Sequence, residues 1–555
     1  MTSGANAARL DESAQAVTEA ARPLRFVSAA SLFDGHDAAI NMIRRLLQAH
    51  GAEVVHLGHN RSVADIVRAA IQEDADGIAV SSYQGGHNEY FTYMVDMLRE
   101  KGASHIRVVV GGGGTIAPHE VEALEAHGVE KVYTPEDGRR LGLDGMIEDV
   151  FRRVRAAAKP PFTFSPLNLR DHGQLARAVS ALEASADQGA SADPIRKAIA
   201  NTKHRPPVIG LTGTGGAGKS SLNDELLQRF LRHFPDRNIA VIAMDPTRRR
   251  SGGALLGDRI RMNSLVAAEN VFMRSLATRR QHLATSAVLS DVIGLMKLAN
   301  FDLIIVETAG IGQSDTEIAD LVDLSVYVMT SEYGAASQLE KIDMLDYADL
   351  IVLNKFEKRG AEDALRDVRK QWRRNHRDQA HLPDDRVPVF PTIASRFNDP
   401  GVNRLFAELC KRLDAKTGTS KWQVLDPGPI EFVSRDPLIP SNRSRYLAEI
   451  AAEGRRVRRD IEAAVEAASR AFGLYESLKA LHDPALPAPL DRYPEEALND
   501  SSVDATRREL RIAYNRSLDD VGAANIGELK RWPERVRSVS DEKYSYKVRD
   551  RIVEG

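Results

Sequence analysis

From Leu24 onward the chain alternates short β-branched runs with stretches of helical period. The runs LRFVSAA, AEVVHLG, DGIAVSS, HIRVVVGGGG and KVYTP each suit one strand. The stretches between them, among them Asn41–His50, Val63–Gln72 and Tyr90–Lys101, repeat apolar residues at helical spacing. Five such strand–helix units predict a parallel sheet covered by helices on both faces, with its binding edge at the carboxyl ends of the strands. Asp34 and His36, in SLFDGHDAAI, fall at one of those ends. Residues 1–22 are Ala-rich and polar without a strong period and read as a loosely helical arm, so the first unit spans 23–158.

AKPPFTFSP closes that unit, and an Ala-rich, helix-prone connection leads to HRPPVIGLTG, where a second α/β series begins. Its expected strands are Val208–Leu211, Ile239–Ala243, Leu303–Glu307, Leu324–Met329 and Leu350–Leu353. With the connection included, this unit spans 159–416. Residues 417–555 read as mainly helical, with a long charged helix over Arg443–His482, the Pro-rich HDPALPAPLDRYP and a further piece rich in Arg and Glu. No strand series and no chemical motif is expected in this third region.

At 555 residues the chain exceeds what one core organises, and its length suggests roughly three or four units. A hydrophobic fraction of 43% and a net charge of -3 are those of an ordinary globular chain and give no electrostatic case for nucleic acid. The single cysteine, Cys410, excludes an internal disulfide and a thiolate zinc cluster, and fits a reducing cytoplasm. No apolar run approaches the ~20 residues that span a bilayer, and no signal peptide is evident, so neither export nor membrane insertion is expected.

GTGGAGKSS, Gly213–Ser221, has the phosphate-loop pattern between a strand and a helix. Gly213, Gly215, Gly216, Ala217 and Gly218 let backbone N–H groups turn toward a polyphosphate, Lys219 adds a point charge, Ser220 can ligate Mg²⁺ and Ser221 opens the helix. Later strand ends bring Asp245, then Asp258 and Arg261 in GGALLGDRIRM, then Glu307 and Thr308 in LIIVETAGIGQSD. Carboxylates there suit a magnesium site, with Ser220, Asp245, Asp258, Glu307 and Thr308 as candidate ligands, and Arg261 is a candidate nucleotide contact. LIVLNKFE places Asn354, Lys355 and Glu357 where guanine is read by a carboxylate in Asn-Lys-x-Asp proteins, with Glu in place of Asp, and TIASRF follows as a second base loop.

DPTRRRSGGALLGDRIRM, VETAGIGQSD and AASQLEKIDMLDYADLIVLNK resemble the P-loop GTPases that act as chaperones of methylmalonyl-CoA mutase, over roughly residues 165–415. The resemblance implies that Asp245, Asp258 and Glu307 serve the metal, that Lys341 lies in a mobile segment contributing to hydrolysis, and that Lys219, Asp258, Glu307 and Lys341 form the catalytic set. Gln313 is no secure counterpart of the water-positioning glutamine of other GTPases. Arg248–Arg250 either meets phosphate or a partner, or is a solvated loop face.

Asp34-Gly-His36-Asp37-Ala38-Ala39 resembles the D-x-H-x-x-G motif of base-off, His-on cobalamin domains, with Ala39 in place of the usual Gly. Ser81-Ser82-Tyr83 fits that family's S-x-L element with Tyr for Leu, and Gly111–Gly114 fits its Gly-Gly element. The resemblance implies a flavodoxin-like (Rossmann-type) domain in which His36 is the lower cobalt ligand. Asp34 can orient its ring, and Ser81, Tyr83, Gly111 and Gly112 can line the slot for the nucleotide tail. His56, His59 and His87 lack comparable support, His87 serving either the cofactor or a helix start.

This order of domains resembles the fused isobutyryl-CoA mutases. The resemblance implies adenosylcobalamin, Mg²⁺ and GTP/GDP as cofactors, radical interconversion of isobutyryl-CoA and n-butyryl-CoA, and GTP hydrolysis gating cofactor loading. It also implies a mutase barrel in cis or in trans, a homodimer, and a cobalamin-delivering adenosyltransferase as a further partner. No (β/α)₈ series precedes Gly555, so the chain is expected to be the cobalamin and GTPase portion alone. Two alternatives remain open: a stand-alone cobalamin carrier or chaperone, and a P-loop ATPase or kinase that binds no cobalamin.

Overall fold

The computed structural model describes residues 22–35, 37–157, 159–160, 162–188, 192–247, 251–266, 268–278, 288–308, 310, 316–333, 339–340, 342–425, 446–540, 545–548 and 551–554. The chain forms two compact units, Met1–Glu431 and Phe432–Gly555. The first unit contains two parallel sheets.

The first sheet is built from β1 (Arg25–Ser31), α1 (Asp37–Ala49), β2 (Glu53–Arg61), α2 (Val63–Gln72), β3 (Gly77–Ser81), α3 (His87–Glu100), β4 (Arg107–Gly111), α4 (Pro118–His127), β5 (Lys131–Tyr133) and α5 (Pro135–Ala156). Its β1–β5 order, β5-β4-β3-β1-β2, reverses direction between β1 and β3. That reversal opens a crevice at their carboxyl ends, the usual ligand position of a flavodoxin-like sheet. Local signals agree with this frame. Ser62 caps α2 by accepting the Asp65 N–H at 3.2 Å. Phe26 and Phe91 are fully buried in the two separate cores on either side of the sheet, and such burial contributes about 1.5–3 kcal/mol per side chain.

After α6 (His172–Gln188) and α7 (Asp193–Asn201), the second sheet follows as β6 (Val208–Gly213), α8 (Lys219–His233), β7 (Ile239–Asp245), β8 (Ala254–Leu256), β9 (Val271–Ala277), α9 (Leu289–Leu298), β10 (Leu303–Glu307), β11 (Leu324–Thr330), α10 (Met344–Tyr347), β12 (Leu350–Asn354), α11 (Ala361–Asn375), β13 (Val389–Pro391) and α12 (Pro400–Thr417). Seven strands pair in the order β13-β12-β11-β6-β10-β7-β9. The phosphate-loop strand β6 is therefore interior, between β11 and β10. Strands β9 and β13 add to the five expected from the sequence.

Strand β8 does not join this sheet. It pairs parallel with β2, Glu53 opposite Ala254 and Val55 opposite Leu256, as the sixth strand of the first sheet. The chain that leaves β7 thus closes the exposed edge of its neighbour before returning.

A buried charged cluster ties the two sheets together. Arg25 of β1 lies 2.7 Å from Glu53 and 3.1 Å from Glu183 of α6, and Arg274 of β9 also pairs with Glu183. Glu73, just after α2, accepts the Ser275 N–H at 3.0 Å and pairs with Arg259 at 3.1 Å. Burial lowers the Arg25 pKa, but the Glu183, Glu53 and Glu73 charges outweigh it and raise it overall. Charges this deep persist only when paired, which makes the cluster a specific fastening and not an interchangeable apolar contact.

The second unit contains α13 (Tyr446–Ala480), α14 (Glu495–Leu498), α15 (Ala505–Val521), α16 (Ala523–Ser540) and an antiparallel pair, β14 (Ser545–Val548) with β15 (Arg551–Glu554). Leu478, Tyr514 and Leu518 share its small core, and Arg511 pairs with Asp483. The long helix ends near its expected boundary because His482 adopts a left-handed φ of 52°. The region is mainly helical, as expected, and the hairpin adds two short strands whose alternating SYKV and RIVE suit pairing. Among the described residues no helix is long and apolar enough to cross a membrane.

Candidate functional site

The phosphate loop takes its shape from positions only glycine fills. Gly213 has φ 138°, and a Cβ there would stand 1.9 Å from Val328 O; Gly218 has φ 94°, with Asn354 Nδ2 2.5 Å from its would-be Cβ. Lys219 begins α8 and donates to Gly213 O at 3.0 Å and Thr214 O at 3.3 Å, curled over the loop's own carbonyls. Thr214 Oγ1 is buried and has no hydrogen-bond partner. An unpaired buried hydroxyl beside a helix N-terminus and a lysine fits a bound polyphosphate.

Around Ser220 the strand ends converge. Its Oγ lies 3.0 Å from Asp258 Oδ1 and 2.7 Å from Glu307 Oε1, and it accepts from Arg261 at 3.1 Å. Arg261 also reaches Asp258 at 3.2 Å, and Asn223 donates to Glu307 at 3.0 Å. Asp245 accepts the Gly257 N–H at 3.0 Å. Burial first, then the Asp258 and Glu307 charges, push Asp245 well above the carboxylate range. Burial also raises Asp258, and burial with the Asp258 charge pushes Glu307 up to about 7. Carboxylates that repel one another beside a hydroxyl are the kind of oxygen donors that suit Mg²⁺, which takes one or two carboxylates and completes its shell with phosphate and water. Among the described residues no three acidic, His or Cys side chains converge closely enough to hold a metal by themselves, so a cation here would need phosphate and water oxygens to complete its shell. Thr308 is turned elsewhere: its hydroxyl donates to Thr212 Oγ1 at 3.0 Å.

The Asn354–Glu357 loop is anchored to the phosphate loop. Asn354 donates to Ala217 O at 2.8 Å and accepts from Thr392 Oγ1 and Ala394 N, each at 3.1 Å, so it braces the site and has no spare carbonyl for a ligand. Lys355 has a left-handed φ of 55°, which turns the chain so that Glu357 stands exposed.

At the crevice of the first sheet, Asp34 is buried and accepts the Tyr83 N–H at 2.8 Å, joining the turn after β1 to the end of β3. Ser31 donates to Ser82 Oγ at 2.9 Å across the same crevice. Ser81 Oγ is buried and has no partner, an open hydrogen-bond position in the crevice wall. A Cβ on Gly112 would lie 2.8 Å from Ser82 O, whereas one on Gly111 would meet open space. A narrow slot with one unpaired hydroxyl and side-chain-free backbone fits a thin polar ligand segment passing close to the main chain. His36 and Lys341 lie outside the described residues, as do Gln313 and Arg248–Arg250. His87 is buried at the start of α3, bonded to Gln84 O at 3.0 Å and Glu120 at 3.1 Å.

A family model described as "Methylmalonyl Co-A mutase-associated GTPase MeaB" matches residues 175–423, and one described as "B12 binding domain" matches residues 24–137. Over 541 residues, 96% of this chain and 48% of the relative, the sequence is 46% identical to the fused isobutyryl-CoA mutase of Geobacillus kaustophilus. It is 47% identical to that of Cupriavidus metallidurans over 545 residues, 96% of this chain and 47% of the relative. A putative GTPase of Caulobacter vibrioides is 30% identical over 255 residues, 44% of this chain and 74% of that protein. The chain joins a B12-binding domain to a GTPase domain of the mutase-associated kind. It spans about half the length of the fused isobutyryl-CoA mutases it matches.

Its B12-binding domain carries the crevice of Asp34 and Ser81, and its GTPase domain carries the phosphate loop and the Asp245, Asp258 and Glu307 carboxylates. Several residues that organise these sites were not singled out by motif: Asn223 and Thr214 around the loop, and Arg259, Glu73 and Glu183 between the domains. Arg25 and Arg274, each inside an otherwise apolar strand run, were the available signal for the last group. A lone arginine in a buried strand implies a carboxylate partner elsewhere.

Proposed function

We propose that this chain loads and holds adenosylcobalamin for an acyl-CoA mutase barrel, in cis or in trans, and that GTP binding and hydrolysis gate the transfer. His36 serves as lower cobalt ligand, Asp34 orients the turn that bears it, and Ser81, Tyr83, Gly111 and Gly112 receive the nucleotide tail. On the second sheet, Gly213 to Ser221 cradle the phosphates of GTP, with Lys219 neutralising charge that develops on them. Ser220, Asp245, Asp258 and Glu307 hold Mg²⁺, with Thr308 beside them, and Arg261 bridges the cation site and the phosphates. Lys341 contributes charge during hydrolysis, and Asn354, Lys355 and Glu357 present the guanine-reading loop.

When bound, adenosylcobalamin supplies radical chemistry for interconverting isobutyryl-CoA and n-butyryl-CoA in the barrel. The chain's own residues orient the cofactor and set when it is released. A homodimer, delivery of cofactor by an adenosyltransferase, and a place in the reducing cytoplasm complete the reading.

The observation that carries this proposal is the coexistence, on one compact unit, of a carboxylate-ringed phosphate loop and a glycine-lined crevice with an unpaired Ser81 hydroxyl. Equilibrium dialysis of the chain against adenosylcobalamin, paired with hydrolysis assays on GTP and ATP, tests it. Retention of the cofactor together with preferential GTP turnover is expected. Turnover without any cofactor retention would reduce the chain to a nucleotide hydrolase.

A further inference from the structure

A short run of contacts leads from the cation site to the turn after β1. Asp258, 3.0 Å from Ser220 Oγ, opens a 3-10 turn, Asp258–Arg261. Within that turn Ile260 lies directly over Gly58 of β2, where a Cβ would stand 2.9 Å from Ile260 Cδ1. The pairing of β2 with β1 becomes irregular at this point, Ala29 standing opposite Gly58 and Ser31 opposite Arg61. Gly58 and Asn60 both have left-handed φ, 84° and 57°. Asn60 Oδ1 accepts the Phe33 N–H at 2.9 Å, and Phe33 immediately precedes Asp34.

Each joint in this run is held. The turn carrying Ile260 is fastened by β8 on β2 and by Arg259 on Glu73. The end of β2 is pinned where Tyr90 OH donates to Arg61 O at 2.6 Å. Phe33 is different: its side chain is 84% exposed and its φ is 63°, so packing does not explain its left-handed backbone. The Asn60 bond and the Asp34 N–H on Ser31 O, at 3.2 Å, do. A left-handed conformation is costly for an L residue and persists where its surroundings impose it.

We propose that Asn60 is a positioning residue which, with Ile260, couples the nucleotide and cation state at Asp258 to the Phe33–Asp34 turn, and so sets cobalamin affinity according to the nucleotide bound. The proposal rests on the cobalamin and GTP reading given above. It places the regulation in the B12-binding domain's own second strand, between two sites that share no ligand.

The test uses the full chain titrated with adenosylcobalamin, once with GDP·Mg²⁺ and once with a non-hydrolysable GTP analogue and Mg²⁺. For the wild type the two dissociation constants are expected to differ by about fivefold or more. In Asn60→Gly, which accepts the left-handed φ but removes the side-chain acceptor, the ratio is expected to fall toward unity with GTP turnover unchanged. Asn60→Asp keeps an acceptor oxygen and is expected to restore the ratio. Ile260→Ala, which breaks the run on its other side, should lower the ratio even if Asn60→Gly does not fold. A wild-type ratio retained in both Asn60→Gly and Ile260→Ala overturns the coupling. A wild type that binds cobalamin equally in both nucleotide states overturns it too, while leaving cobalamin binding intact. No cobalamin uptake by any of the proteins removes the functional reading on which it rests.

Discussion

Asp258 and Arg259 are consecutive residues that serve different domains: the Asp258 carboxylate lies 3.0 Å from the phosphate-loop hydroxyl of Ser220, and the Arg259 guanidinium lies 3.1 Å from Glu73 at the end of α2. One peptide bond therefore joins the carboxylate cluster around Ser220 to the buried fastening between sheets. The GTPase domain cannot reposition Asp258 without loading a charge pair in the B12-binding domain. Its phosphate-loop strand is interior to the second sheet, whereas β8 and the Asp258–Arg261 turn touch the first.

The fastening should be strong and charge-dependent. Glu73→Gln keeps the shape and one acceptor oxygen but leaves Arg259 buried beside a neutral partner. A loss of roughly 3 kcal/mol in urea-unfolding stability is expected, because removing one member of a buried pair strands the other. Wild-type stability would mean that Arg259 is satisfied by Gln72 and the Met273 carbonyl alone.

Ser81→Ala should separate folding from ligand binding. The free chain loses a buried hydroxyl that has no partner, so its melting temperature is expected to hold or rise slightly. Cobalamin affinity is expected to fall by about tenfold, the worth of one hydrogen bond to the tail. A drop in melting temperature with unchanged cofactor affinity would make Ser81 purely structural.

Ser220→Ala removes the oxygen between Asp258 and Glu307. GTP turnover is expected to fall by about 100-fold or more, with a raised Mg²⁺ requirement, as losing one preorganised ligand at a phosphoryl-transfer site does. Unchanged turnover across a magnesium titration would contradict its place as a ligand.

His172 gives the folded chain an acid-sensitive joint. Burial, then the Arg259 and Arg68 charges, push its pKa from the ordinary 6.5 down to about 4, and its Nδ1 lies 2.9 Å from Gln72 Nε2. A base whose pKa is lowered by folding binds more protons when unfolded, so stability is lost as pH falls from about 6.5 to about 4. His172→Gln should flatten that limb of an unfolding-versus-pH curve, and an unchanged limb would place the acid sensitivity elsewhere.

Much of this architecture was legible because its signals are local. Helix α2 spans Val63–Gln72, as its apolar period and Ser62 cap indicate, and the phosphate loop follows from glycines required within one turn. Helix α1 begins at Asp37, ahead of the expected Asn41, because Asp37-Ala38-Ala39 carries helix propensity without apolar period. Strand β8 was not legible: three residues, ALL, become a strand only because the edge of β2 receives them. Strand β9 was hidden by Arg274, whose charge is matched by Glu183, 91 positions away in the sequence. The coupling residues Asn60 and Ile260 belong to no motif, since their role arises from two chain segments meeting.

The most direct test is the ultraviolet-visible spectrum of the purified chain mixed with adenosylcobalamin, with and without GTP·Mg²⁺, beside His36→Ala. A shift to histidine-ligated, base-off cofactor in the wild type, lost in His36→Ala while GTP turnover persists, is the expected result. No shift in either protein would contradict cobalamin binding and leave a GTPase whose client is another molecule.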